Sequence, residues 1–202
     1  NGIYFCVPFI LRAARQNVDL MVLSLVSTPE IVSSYSVARR MIESSYLSVE
    51  ALNRLIYPGS ARASAEGLHH IAERVKKVLA AAILISVAAA VAVFIIAPVL
   101  PYLFGHDYVS LVSFVRKLSW VVILLAIWSV AVEALGAAGN HAYRGTVMSL
   151  GSLLGCAITA WATWYDPPAG TIISFYVIEF GMVIASWAVL ARAIRKSRGG
   201  ST

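Results

Sequence analysis

Four stretches of about twenty residues, 78–99, 118–138, 146–165 and 171–191, are apolar almost throughout. Pro98 and Pro101 close the first, Gly139 and Asn140 the second, and Asp166, Pro167 and Pro168 the third. A helix rises 1.5 Å per residue, so each stretch matches the roughly 30 Å hydrocarbon core of a bilayer. A chain of 202 residues has no soluble core large enough to hide four such segments. Its composition agrees: 59% of the residues are hydrophobic and 13% charged, where a soluble domain carries roughly 25% charged. The low charge excludes a disordered segment, and two cysteines exclude a disulfide scaffold. The expected fold class is an all-α polytopic membrane protein.

Two further stretches, 7–27 and 31–57, are long enough to span but carry charges, and Pro29 between them signals a tight turn. The expectation is therefore one transmembrane lobe over residues 1–202 with six spans. Arg62, Arg74, Lys76 and Lys77 follow the second span, Arg144 the fourth, and Arg192, Arg195, Lys196 and Arg198 the sixth. The opposite loops hold Glu30, Asp107 and Asp166, with Arg116 and Lys117 as their basic residues. Because Lys and Arg remain on the cytoplasmic side, the C-terminus is expected to be cytoplasmic. The nine basic residues that follow the second, fourth and sixth spans are more than half of the sixteen in the chain, and they report topology rather than substrate. Their scatter over three loops gives no nucleic-acid patch. The chain opens at Asn1 without the basic start or cleavage site of a signal peptide, and reads as a piece lacking an N-terminal part.

Ionisable groups within a span are costly and face a bundle interior or a water-filled cavity. In the second span Tyr35, Arg39, Glu43, Tyr46, Glu50, Asn53, Arg54 and Tyr57 recur at steps of three and four, which places them on one helix face. Arg12, Arg15, Gln16 and Asp19 do the same in the first span. With the turn centred near Thr28 and Pro29, residues at equal depth on two antiparallel helices have numbers summing to about 58. Asp19 then faces Arg39 and Arg15 faces Glu43, which predicts two interhelical ion pairs at mid-membrane depth. A bland reading has these pairs staple the hairpin. The functional reading rests on the remainder: Arg12, Arg15, Arg39, Arg40 and Arg54 outnumber Asp19, Glu43 and Glu50 by about two. Arg12 and Arg54 lie near the cytoplasmic ends and can snorkel, whereas Arg40 lies deeper. Surplus guanidinium suits an anion, phosphate above all.

Glu179 stands alone near the middle of the sixth span and has three readings: a proton or cation coupling site, a partner for an arginine elsewhere, or a neutral buried acid. Glu133 near the end of the fourth span reads as interfacial. No phosphate-binding loop occurs, no zinc-type spacing appears, and His69 and His70 are adjacent in a basic loop. Cys6 and Cys156 lie in apolar runs. Gly151 and Gly155 make a small-xxx-small step, most simply for close helix packing. No catalytic residue, metal site or cofactor is expected, beyond H+ or Na+ as a coupling ion.

Pro8, the run from Asp19 to Leu23, the run from Tyr35 to Arg39 and Pro58 closing that helix resemble the second half of polysaccharide-transporter flippases. Leu103, Phe104, Gly105 and Tyr108 resemble the family's LFG..Y element, and Glu133 to Asn140 its next cytoplasmic turn. The family is the O-antigen and exopolysaccharide branch of the superfamily that also holds multidrug and toxin extruders. The resemblance implies a MATE-like transporter of about twelve to fourteen helices in two lobes, of which this chain would be the C-terminal one. It implies flipping of undecaprenyl-diphosphate-linked oligosaccharide across the bacterial inner membrane in lipopolysaccharide or exopolysaccharide synthesis. The implied partners are the lipid-linked saccharide, membrane lipids, an N-terminal lobe and a polysaccharide polymerase. The family's cationic cavity maps onto Arg15, Arg39 and Arg40, with Arg12 and Arg54 beside them. The alternatives are a cation-coupled drug antiporter of the same fold, using Asp19, Glu43 or Glu179, and a membrane-embedded sugar-transfer enzyme. The longest loops, about twenty residues, are too short for the extramembrane loop such an enzyme needs.

Overall fold

Helix α1 (Ile3–Val26) ends where Pro29 cannot continue it, and Pro29 opens α2 (Pro29–Glu66), at a position where a missing N–H costs nothing. The Ser27 N–H donates to the Leu23 carbonyl and the Val32 N–H to that of Thr28, so the reversal is closed by backbone bonds. α3 (Leu68–Ile96) tightens into a 3-10 turn, Ala97–Val99, and runs on into the short α4 (Leu100–Phe104), with Pro98 and Pro101 removing donors at each change of geometry. Gly105, at φ 105°, ends α4 in a conformation that a Cβ would oppose. Then follow α5 (Val109–Ser119), α6 (Val121–Ala137), α7 (His141–Tyr165) and α8 (Ala169–Gly199). The computed structural model describes the backbone of residues 3–66, 68–105, 108–137, 139 and 141–199, and the side chains of residues 9–51, 75–105, 108, 110–137, 139 and 141–195.

The chain is an all-α polytopic membrane protein, and no strand occurs among the described residues. Four continuous helical segments are long and apolar enough to cross a bilayer: Val75–Phe104, Ser110–Ala137, His141–Tyr165 and Ala169–Arg195. They contain three of the four apolar stretches of the sequence whole and the remaining one, 118–138, as far as Ala137. α1 and α2 complete a set of six long rods.

Three expectations are corrected. Pro58 does not close the second helix, since α2 continues to Glu66. One proline removes a single backbone bond, and the Ala-rich stretch beyond it favours helix. At 38 residues α2 is about 57 Å long and outreaches the hydrocarbon core. Arg116 and Lys117 lie not in a loop but in the last turn of α5, which leads almost directly into α6. There the Arg116 guanidinium stacks 5.0 Å from the Phe94 ring centre, and the Lys117 carbonyl accepts the Tyr176 hydroxyl. Arg144 likewise sits in the first turn of α7, not in the preceding loop, and bonds Glu133 at 2.8 Å. Gly136 makes room for it: a Cβ there would stand 3.2 Å from the Arg144 Cδ.

α6 is the central rod. Two thirds of its membrane-length window, 67%, is buried, against 22% for the segments built on α3 and α7. At the end carrying the α1–α2 turn, Leu23, Tyr35, Phe114 and Val122 belong to one apolar cluster. Toward the other end Val49, Ala82, Ala131 and Leu190 form a second, and Trp128, Val132, Ile178 and Met182 a third, smaller one. Outward-facing Leu84, Ile95, Leu154, Trp161, Phe180 and Ile184 are all half or more exposed, an apolar surface that suits lipid and would aggregate in water.

Candidate functional site

Polar residues on α1 and α2 converge on a cavity of about 170 Å³. Arg12, Arg15 and Gln16 reach it from α1, and Arg39, Glu43, Tyr46 and Glu50 from α2. Its other walls are Leu125 and Trp128 of α6, Met148 and Ser152 of α7, and Phe175 and Met182 of α8. The stripes read from the i, i+3 and i+4 spacing of the two helices do therefore face one space. Asn53, Arg54 and Tyr57, the far end of the α2 stripe, have side chains outside the described residues.

Behind the cavity lie two buried ion pairs. The expected pair of Asp19 and Arg39 is present: Arg39 Nη1 bonds Asp19 Oδ2, with both side chains at least 95% buried. The Tyr35 hydroxyl donates to the same carboxylate oxygen at 2.8 Å. Arg39 also turns its Nε to Glu43 Oε1, 3.1 Å away and one turn along α2, while the Phe175 ring lies 5.4 Å from its guanidinium. One arginine is thus shared by a buried carboxylate and by one that is 44% exposed.

The expected pair of Arg15 with Glu43 does not form. Arg15 instead bonds Glu179 Oε1 on α8, 164 positions along the chain. Trp128 Nε1 on α6 donates to the other oxygen of that fully buried carboxylate at 2.6 Å. The equal-depth rule assumes that two antiparallel helices stay side by side. α1 meets α2 sparsely and packs instead along α7, so the pair nearest the turn closes and the next one does not. Gly155 of α7 permits this crossing. A Cβ there would lie 2.8 Å from Arg15 Cδ and 3.3 Å from Ile178 Cγ2, and Gly151, one turn earlier, is covered in the same way by Met182. The small-residue step thus serves packing of α7 on α1 and α8. Glu179 does not stand alone, and its arginine lies within this chain.

Arg40 is also displaced from its expected place. It is exposed and borders a separate, shallow depression with Ser36, Val37, Met41, Ser44, Ser45 and Phe104. Consecutive residues on a helix point about 100° apart, so Arg39 and Arg40 cannot both enter one cavity. The charge balance changes accordingly. Among the described residues, Arg12, Arg15 and Arg39 meet Asp19, Glu43, Glu50 and Glu179, one carboxylate in excess where a surplus of arginine is expected. Two of those acids, Asp19 and Glu179, sit behind the arginines they neutralise; Glu43 and Glu50 border the open space.

Trp128, Phe175, Met148 and Met182 escape sequence reasoning because each lies in an apolar span with no local marker. Trp128 carries one usable signal. An indole N–H at membrane depth needs an acceptor, and Glu179 is the intramembrane acid without an assigned partner. Arg12, whose guanidinium lies 5.8 Å from the Trp128 ring centre, joins the aromatic wall to the charged one. The site as built can take a small charged or strongly polar group between guanidinium edges and aromatic and thioether surfaces.

Comparison of the chain with known protein families, with curated proteins and with solved structures returns no match.

Proposed function

We propose that this chain is a lobe of a transporter that carries the anionic head of a lipid-linked saccharide through the membrane, and that it performs no covalent chemistry. The supporting observation is the convergence of Arg12, Arg15 and Arg39 on one cavity within a bundle of membrane-length helices. A diphosphate cannot cross hydrocarbon unsolvated, and guanidinium forks match its oxygens. The walls of Trp128, Phe175 and Leu125 suit the neutral part beside that head. The resemblance to polysaccharide flippases narrows the cargo to undecaprenyl-diphosphate oligosaccharide, the membrane to the bacterial inner one, and the partners to an N-terminal lobe and a polymerase. The basic residues in the last turns of α8 support a cytoplasmic C-terminus under the same reading.

A second reading, a cation-coupled antiporter of the same architecture, is favoured by one observation: four carboxylates gather around three guanidiniums among the described residues. Reconstitution separates the two. Liposomes holding the purified protein and a fluorescent prenyl-diphosphate sugar should show protein-dependent movement of the probe to the opposite leaflet. Arg12 belongs to neither buried pair, so Arg12→Gln should spare the fold and slow that movement by about tenfold or more, the loss of one charge-assisted contact. An unchanged rate in Arg12→Gln would remove the anion-carrying reading.

A further inference from the structure

Arg39 is built differently from Arg15. Both are anchored from behind by a buried carboxylate that also accepts a neutral donor, the Tyr35 hydroxyl for Asp19 and the Trp128 indole for Glu179. Only Arg39 has a second carboxylate on its cavity side, Glu43, among the described residues. Asp19 already neutralises that guanidinium. Glu43 therefore brings a negative charge in excess, and it holds the Nε edge that an incoming anion would need. Its half-exposed position lets water in the cavity deliver a proton to it.

We propose that Glu43 is a proton-operated gate on the anion site: a proton on its carboxyl releases the Arg39 edge, so that anion and proton bind together. This inference rests on the anion-binding reading above. The charged and titratable groups around Glu43 are Arg12 and Arg15 from α1, Arg39, Tyr46 and Glu50 from α2, Asp19 of α1 and Tyr35 of α2 on the far side of Arg39, and Glu179 of α8 behind Arg15. From α6 and α7 the facing residues are Leu125, Trp128, Met148 and Ser152, none of which titrates near neutral pH. On binding, one phosphate oxygen replaces Glu43 Oε1 as acceptor of the Arg39 N–H, and the displaced carboxylate takes one proton from the cavity water. On release the proton returns to water and Glu43 reoccupies the edge. By linkage, each of the two ligands tightens the other.

The test is binding of farnesyl diphosphate to the purified protein in micelles between pH 5.5 and 8.5, for wild type, Glu43→Gln and Glu43→Ala. Titration of the probe itself is common to all three, so the ratio of wild-type to variant affinity isolates Glu43. That ratio should fall by about tenfold per pH unit once Glu43 is ionised, and calorimetry in buffers of different ionisation enthalpy should show about one more proton taken up by wild type. Parallel pH profiles in wild type and both variants would overturn the gate while leaving the anion site standing. Weaker binding by both variants at every pH would also overturn it, since Glu43 would then assist the anion. Absence of binding by all three proteins removes the anion site itself, and the gate with it.

Discussion

Replacing Arg39 by Met is expected to lower the unfolding free energy by about 3–5 kcal/mol, the cost of leaving a buried ion without its partner. Among the described residues Arg39 is the one cation paired with Asp19, whose side chain is 2% exposed. Without it, Asp19 keeps the Tyr35 hydroxyl, a neutral donor that cannot balance a carboxylate at membrane depth. Glu43 would turn to the cavity water. The loss of Arg39 also removes the packing of its guanidinium on Phe175, which ties α2 to α8. Introducing Asp19→Leu into the Arg39→Met protein should recover the greater part of the loss, leaving about 1–2 kcal/mol for a Tyr35 hydroxyl without its acceptor. Reversible unfolding in mixed micelles measures all three proteins. A single Arg39→Met variant as stable as wild type would show that the pair is not closed inside the lobe.

Glu179→Ala should cost less, about 2–4 kcal/mol, because its partner Arg15 borders the cavity and is 15% exposed, so that water can solvate part of the freed charge. Trp128 Nε1 loses its acceptor in the same variant. Glu179→Gln keeps the side-chain volume and one acceptor oxygen for one of the two donors, while its amide NH2 faces the other, and should cost less than Ala, about 1–3 kcal/mol. The ordering of the two variants is the diagnostic result, since a merely apolar role for the site would make Ala and Gln alike. The pair also has a functional readout. α1 is held to α8 through it, and if Glu179→Gln leaves transport and its pH dependence unchanged, Glu179 is a strut and not a coupling acid.

What the sequence discloses and what it hides divides along a physical line. Apolar length and turn residues are local properties, so residues 78–99, 146–165 and 171–191 reappear within helical segments, although α3 starts ten residues earlier than expected, α7 five earlier, and α8 runs eight further. Pairing across a short turn is nearly local, and the depth rule places Asp19 against Arg39 correctly. One helical turn further from the hinge the rule fails, because Arg15 follows α1 toward α7 and α8, a direction set by packing at Gly155 and not by spacing. Arg40 is a different error. Its adjacency to Arg39 already implied a heading about 100° away on a helix, so counting both toward one cavity gave the wrong charge balance. The helix of Val109–Ser119 was hidden by its charged last turn, which reads as a loop until Phe94 is seen to cover Arg116.

The sign of the cavity field decides between an anionic and a cationic cargo. It can be measured without any natural ligand. Met148 lines the cavity from α7, and Met148→Cys in a protein whose Cys6 and Cys156 are changed to Ala presents one thiol there. Labelling rates are then compared for two methanethiosulfonates of similar size, one bearing a sulfonate and the other a trimethylammonium group. Asp19 and Glu179 neutralise the arginines in front of them, and Glu43 and Glu50 face the space with Arg12, so the rate of the sulfonate relative to the trimethylammonium reagent, each normalised to a free thiol, should rise about tenfold between pH 8.5 and 5.5 as protons enter the cavity, a change that shrinks with added salt. A preference for the trimethylammonium reagent that persists unchanged across that range would contradict the anion site and leave the cation-coupled reading in its place.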